Sequence, residues 1–119
     1  MIIGIGTDII KVKRVKIIYA RYGQRMLQRI CTNQEIEEID HRSLSHFIAK
    51  RFAAKEAYAK ALGYGIGKMI GWQDIEILNK NGKPYFSENT KFIQDKYAHL
   101  TIADEDEFAL AFVVIEKKT

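Results

Sequence analysis

Between residues 2 and 8 the chain alternates, with Ile3, Ile5 and Thr7 on one side and Gly4, Gly6 and Asp8 on the other, the period of a β-strand with one bare face. Asp8 then ends a face without bulky neighbours. The period next changes to three and four, and Val15, Tyr19, Tyr22, Met26 and Ile30 predict one helix from about residue 12 to residue 30. The sequence Asn33-Gln34-Glu35 predicts a cap and a short acidic helix to about Asp40. The Ala-rich run FIAKRFAAKEAYAKAL predicts a second long helix, starting near Ser43 or Ser45 and ending at Leu62, with Gly63 as its stop. Phe47, Phe52 and Tyr58 are its expected core residues. Beyond the glycine-rich stretch at 63–67, residues 72–78 and 84–86 read as strands around the turn NKNGK, and a short helix is expected over 89–97. Two more strands, 99–103 and 107–116, meet across the acidic turn Asp104 to Asp106. No repeat or linker interrupts this order, so residues 1–119 are expected to form one α+β domain, a mostly antiparallel sheet packed with helices.

Composition fits that picture and adds a suspicion about assembly. At 119 residues, 47% apolar and 29% charged, the chain builds only a small core, and a domain with so much surface for its volume is apt to complete its site with a second subunit. The net charge of +4 is informative once located. From Ile10 to Gln34 the charged residues are all basic (Lys11, Lys13, Arg14, Lys16, Arg21, Arg25 and Arg29), so this stretch carries +7 and the remainder −3. On a helical wheel Arg14, Arg21 and Arg25 fall within about 40° of one another, a stripe suited to an anionic partner. Nucleic acid, an acidic membrane surface and an acidic protein all meet that description.

Cys31 is the one cysteine, so neither an internal disulfide nor a Cys-based zinc site is available. The opening MIIGIGTDII is broken by glycines and Asp8 and lacks a basic leader, and no run approaches the roughly 18 apolar residues of a membrane span. A cytoplasmic protein is expected. His41, His46 and His99 lack metal-binding spacing.

GxSxG, Walker, GxGxxG and HExxH patterns are all absent, which argues against triad hydrolases and P-loop enzymes. What remains is a pair of carboxylates, Asp8 on the bare strand and Glu56 in the Ala-rich helix, with Lys55 and Lys60 beside the second. Two carboxylates completed by substrate phosphates are a usual Mg²⁺ site, and a nearby lysine neutralises remaining phosphate charge. Each group also has a plainer reading. Glu56 and Lys60 stand at i, i+4, the spacing of an ordinary helix-surface ion pair, and Asp8 is equally placed to cap the segment after it.

Two strings taken together, GIGTDI at 4–9 and RFAAKEAYAKALGYGIG at 51–67, closely resemble the signature motifs of the holo-acyl-carrier-protein synthases, the small phosphopantetheinyl transferases of bacterial fatty-acid synthesis. The likeness continues in order through WQDIEI, NGKPY, HLTIAD and VVIE. It implies transfer of the 4′-phosphopantetheine arm of coenzyme A to a serine of acyl carrier protein, with release of adenosine 3′,5′-bisphosphate. It further implies Mg²⁺ held by Asp8 and Glu56, and Lys60 on the phosphates. Arg51, Gly63 and Gly65, with Lys83, Pro84 and His99, are implied as coenzyme A contacts. The attacking serine belongs to the partner, which accounts for the missing nucleophile. The base is left open, and Asp104 stands where family members carry either histidine or aspartate. Finally, the resemblance implies a homotrimer with sites between subunits and the docking of acidic acyl carrier protein on Arg14, Arg21 and Arg25. A non-enzymatic nucleic-acid-binding module using the same basic segment is the competing reading, although no RNP-like, zinc-finger or helix-turn-helix pattern accompanies the charge.

Overall fold

The computed structural model describes residues 1–119. Strand β1 (Ile2–Lys11) leads into helices α1 (Val12–Tyr22), α2 (Gln24–Ile30) and α3 (Asn33–Glu37), then the long helix α4 (Leu44–Ala61). The hairpin β2 (Ile77–Lys80) and β3 (Lys83–Phe86) comes next, and β4 (Lys96–Asp104) and β5 (Phe108–Lys117) close the chain. The main sheet has the order β1-β5-β4, antiparallel throughout, and β2-β3 is a separate two-stranded sheet. The expected α+β class with antiparallel pairing therefore holds.

The bare face of β1 has a steric purpose. A Cβ placed on Gly4 would lie 1.9 Å from the Ala61 carbonyl oxygen, and one on Gly6 would lie 1.9 Å from that of Ala57. The face is bare because α4 lies directly on it. Helix α4 supplies small residues to match, with Ala53, Ala54, Ala57 and Ala61 buried, and β5 contributes Ala109, Ala111, Val113 and Ile115. Close helix-to-sheet approach through small side chains lets this central helix be buried on most of its circumference.

Four local expectations are corrected. The basic segment is two helices, since Gly23 breaks it with φ +56°, a left-handed conformation that suits glycine. The kink lets Met26, Leu27 and Ile30 turn into the core with Val12 and Val15, and leaves Tyr22 half exposed. Residues 89–95 are turns, because Ser87, Asn89 and Thr90 spend their side chains on Glu76 and nearby backbone, an alternative to helix. The strand expected from residue 72 starts only at Ile77, and Trp72–Asp74 forms a 3₁₀ turn in which the Asp74 carboxylate accepts from Gly71 N at 2.8 Å. The acidic helix is capped one residue earlier than expected: Thr32 and Glu35 form a reciprocal capping box.

Candidate active site

Strand β1 and helix α4 bring together the two carboxylates that the sequence separates by almost half its length. Asp8 shares the inner face of β1 with Gly4 and Gly6, so its side chain reaches α4 at the turn that carries Glu56 and Lys60. Lys60 Nζ donates to Asp8 Oδ1 at 3.0 Å and to the Thr7 carbonyl at 3.3 Å. The Glu56–Lys60 pair of the plainer reading is thus not what forms: the lysine bonds across to the strand. Asp8 Oδ2 is buried and has no hydrogen-bond partner. An acceptor stripped of water and left unpaired is costly, and it is well used when a cation supplies the missing interaction. Glu56 is half-buried, and its pKa is raised by desolvation and by the charge of Asp8, with Lys60 opposing both. Two like charges are gathered in a partly dry place with one free oxygen, and the half-exposed Lys60 is the one counter-charge bonded there.

That donor set fits a hard divalent cation. The oxygens are carboxylate, the hard donors taken by an ion such as Mg²⁺, which keeps waters and shares its other positions with substrate phosphates.

Helix α4 ends beside this pair in a Schellman arrangement. Gly63 N donates to Lys60 O at 2.9 Å and Tyr64 N to Ala59 O at 3.1 Å, with Gly63 at φ +86°. Nothing stands within 4 Å of the space above Gly63 or Gly65, so this backbone is open to a ligand.

Other residues implied by the resemblance lie elsewhere in the chain. Arg51 is 2% exposed. Its guanidinium stacks 4.5 Å from the Phe47 ring and forms ion pairs with Glu35 (3.3 Å) and Glu38 (3.4 Å), so its charge is committed inside the fold. Lys83 and Pro84 sit on the small hairpin. His99 sits on the outer face of β4, where Nε2 lies 2.6 Å from Glu116 Oε1. No hydrogen bond or ion pair joins these three to Asp8, Glu56 or Lys60. Arg14 and Arg21 project from α1, exposed. Arg25, across the Gly23 kink, is exposed on α2 and borders a groove of about 490 Å³ with Ile18, Tyr22, Arg29, Phe52 and Trp72. That groove was not foreseen, because its walls come from segments about forty residues apart.

A strand-borne carboxylate thus faces a helix-borne Glu-x-x-x-Lys beside a glycine cap. The family model described as the 4′-phosphopantetheinyl transferase superfamily matches residues 4–113, and the chain belongs to that family. It is 43% identical to the holo-[acyl-carrier-protein] synthase of Ehrlichia chaffeensis, with 97% of each chain covered. Among solved structures, the synthase of Neisseria meningitidis superposes with a TM-score of 0.89 at 39% identity, covering 98% of this chain and 100% of that one. The Bacillus anthracis synthase, in complex with CoA (3′,5′-ADP), gives 0.86 at 39%, covering 100% and 99%.

Proposed function

We propose that the chain transfers the 4′-phosphopantetheine arm of coenzyme A to a serine of apo-acyl carrier protein, releasing adenosine 3′,5′-bisphosphate, in fatty-acid synthesis in the cytoplasm. The observation that carries this reading is the unpartnered Asp8 Oδ2 beside Glu56, within one helical turn of Lys60. Asp8 and Glu56 would hold Mg²⁺, which when bound supplies Lewis-acid polarisation of the phosphate under attack. Lys60, already reaching the strand, swings its ammonium onto a phosphate oxygen and offsets charge as the leaving phosphate departs. The open Gly63–Gly65 backbone lets a phosphate or pantetheine chain approach closely. Since the carrier brings the nucleophile, the work of these residues is to orient and to stabilise charge.

The docking surface is Arg14 and Arg21 on α1 with Arg25 at the groove. An acidic carrier meets positive charge there, and its apolar side chains find Phe52 and Trp72. Family membership favours this reading over a nucleic-acid-binding module. Mass spectrometry of apo-carrier incubated with coenzyme A, Mg²⁺ and this protein tests the transfer: the mass of one phosphopantetheine is expected, and an unmodified carrier overturns it. In the same assay Arg21→Glu is expected to raise the KM for carrier about tenfold while the affinity for coenzyme A stays within twofold. Equal losses for both substrates would assign Arg21 to the fold or to the coenzyme site.

A homotrimer completes the proposal. The outer face of the main sheet leaves Ile3, Ile5, Ile9, Leu110 and Phe112 exposed, Ile5 by 60% and Phe112 by 40%, side by side on β1 and β5. A contiguous apolar face of this kind marks an association surface. Burying it against other copies would bring a neighbour's Lys83, Pro84 or His99 to a coenzyme A bound at the carboxylate pair. Sedimentation of the purified protein at micromolar concentration is expected to give three times the chain mass, and a monomer would refute the assembly.

A further inference from the structure

Lys55, next to Glu56, takes no part in the chemistry above and is completely buried. Its ammonium has three N–H donors and spends all of them inside the protein: on the Ile30 carbonyl at 2.6 Å, on the Trp72 carbonyl at 3.0 Å and on Glu35 Oε1 at 2.6 Å. Glu35 is equally buried, and its other contacts are Thr32 N at 2.8 Å, Ile77 N at 3.1 Å and the Arg51 guanidinium at 3.3 Å. A buried ion pair is a poor way to gain stability, because desolvation offsets most of the attraction. What this one does is directional. Ile30 and Trp72, whose carbonyls Lys55 holds, are two of the apolar residues that line the groove beside Arg25 and Arg29, with Ile18, Tyr22, Met26 and Phe52. The same corner is closed from outside by Gln73, whose Nε2 donates to Gln28 O at 2.6 Å and Cys31 O at 2.7 Å.

We propose that Lys55 is a positioning residue for carrier docking: it ties the end of α2 and the Trp72 turn, two parts of the groove's lining, to helix α4, which carries Phe52 of the same groove as well as Glu56 and Lys60. This rests on the reading of that groove and the arginines as the docking surface. The docking walls and the catalytic side chains then belong to one rod. A carrier seated in the groove presents its serine at a fixed offset from Asp8 and Glu56, and displacement of about 1 Å in such an offset is costly to transfer. An apolar side chain of the same length would fill the space but leave two carbonyls without donors and the walls free to drift.

The test compares four variants with the wild type, reading the KM for apo-carrier, the dissociation constant for coenzyme A and the emission of Trp72, the only tryptophan. Lys55→Met with Glu35→Gln removes both charges and both carbonyl tethers; its carrier KM is expected to rise about tenfold, with coenzyme A affinity within twofold and Trp72 emission shifted to the red. Glu35→Gln alone leaves buried Lys55 and Arg51 without their shared counter-charge and is expected to lower the melting temperature, but it keeps the lysine on both carbonyls and is expected to leave the carrier KM of the folded protein within twofold. Gln73→Ala alters an exposed side chain, so it folds whether or not the double variant does, and is expected to raise carrier KM several-fold. Arg21→Glu separates the two readings. Should it raise carrier KM while Gln73→Ala and the double variant do not, the role of Lys55 is refuted and the docking surface stands. Should Arg21→Glu itself do nothing, the docking surface falls and the role of Lys55 with it. Equal loss of carrier and coenzyme A affinity in the double variant also overturns the proposal, since a general loosening of the fold would act on both.

Discussion

Asp8→Asn is expected to reduce phosphopantetheine transfer by about 10³-fold or more, on the order of 4 kcal/mol in the barrier, while leaving the melting temperature unchanged or higher. The two halves of that expectation have the same cause. Asp8 Oδ2 is buried without a hydrogen-bond partner, and desolvation together with the Asp8 charge raises the pKa of Glu56. The Asp8–Lys60 bond compensates little, as the lysine is half exposed and such pairs are worth about 1 kcal/mol at most. Removing the Asp8 charge relieves repulsion in the folded state and takes away one of the two carboxylates proposed to hold Mg²⁺. Glu56→Gln is expected to behave alike. Transfer assays on each variant, set beside thermal unfolding followed by circular dichroism, check both halves. A variant that retains full transfer excludes the pair from the mechanism, and one that melts more than ten degrees lower shows that the carboxylates serve the fold.

The parts of this arrangement that could be read from the chain are those encoded within a few residues. Alternation over residues 2–8 put Gly4, Gly6 and Asp8 on one face, and the Ala-rich run gave the length and stop of α4 to within a residue or two, because period and propensity are local. The motifs at 4–9 and 51–67 implied that Asp8, Glu56 and Lys60 lie together, and β1 and α4 do bring them together. What the chain did not disclose depends on what meets what. The bare face looked like room around Asp8, whereas it is the seat of α4. Spacing paired Glu56 with Lys60, yet the lysine turns to Asp8 once β1 lies beside it. Arg51 carries the same letter whether it faces a ligand or Glu35, and only packing against Phe47 shows its charge turned inward. The break at Gly23 was within reach of sequence reasoning, as a glycine inside a helical stripe weakens it, but the apolar period continued past it and outweighed the signal.

The seat of α4 sets the second large effect. Gly6→Ala adds one carbon that would lie 1.9 Å from Ala57 O and 2.8 Å from Ala61 N, both backbone atoms of a helix held by the core. No rotamer change relieves a clash with backbone, so either β1 leaves its register with β5 or α4 lifts from the sheet. Destabilisation of about 3 kcal/mol or more is expected, at or beyond the upper end for added methyl groups in packed cores. Gly67→Ala is the control: nothing lies within 4 Å of its added carbon, so denaturant unfolding should be shifted by less than about 0.5 kcal/mol. The activity of whatever fraction of Gly6→Ala stays folded is equally telling. Asp8 rides on β1 and Glu56 and Lys60 ride on α4, so parting the two elements separates these three side chains, and transfer should fall further than the folded fraction. If Gly6→Ala unfolds at the wild-type denaturant midpoint, the strand and helix separate at no cost, and the glycines are not what holds the carboxylate pair together.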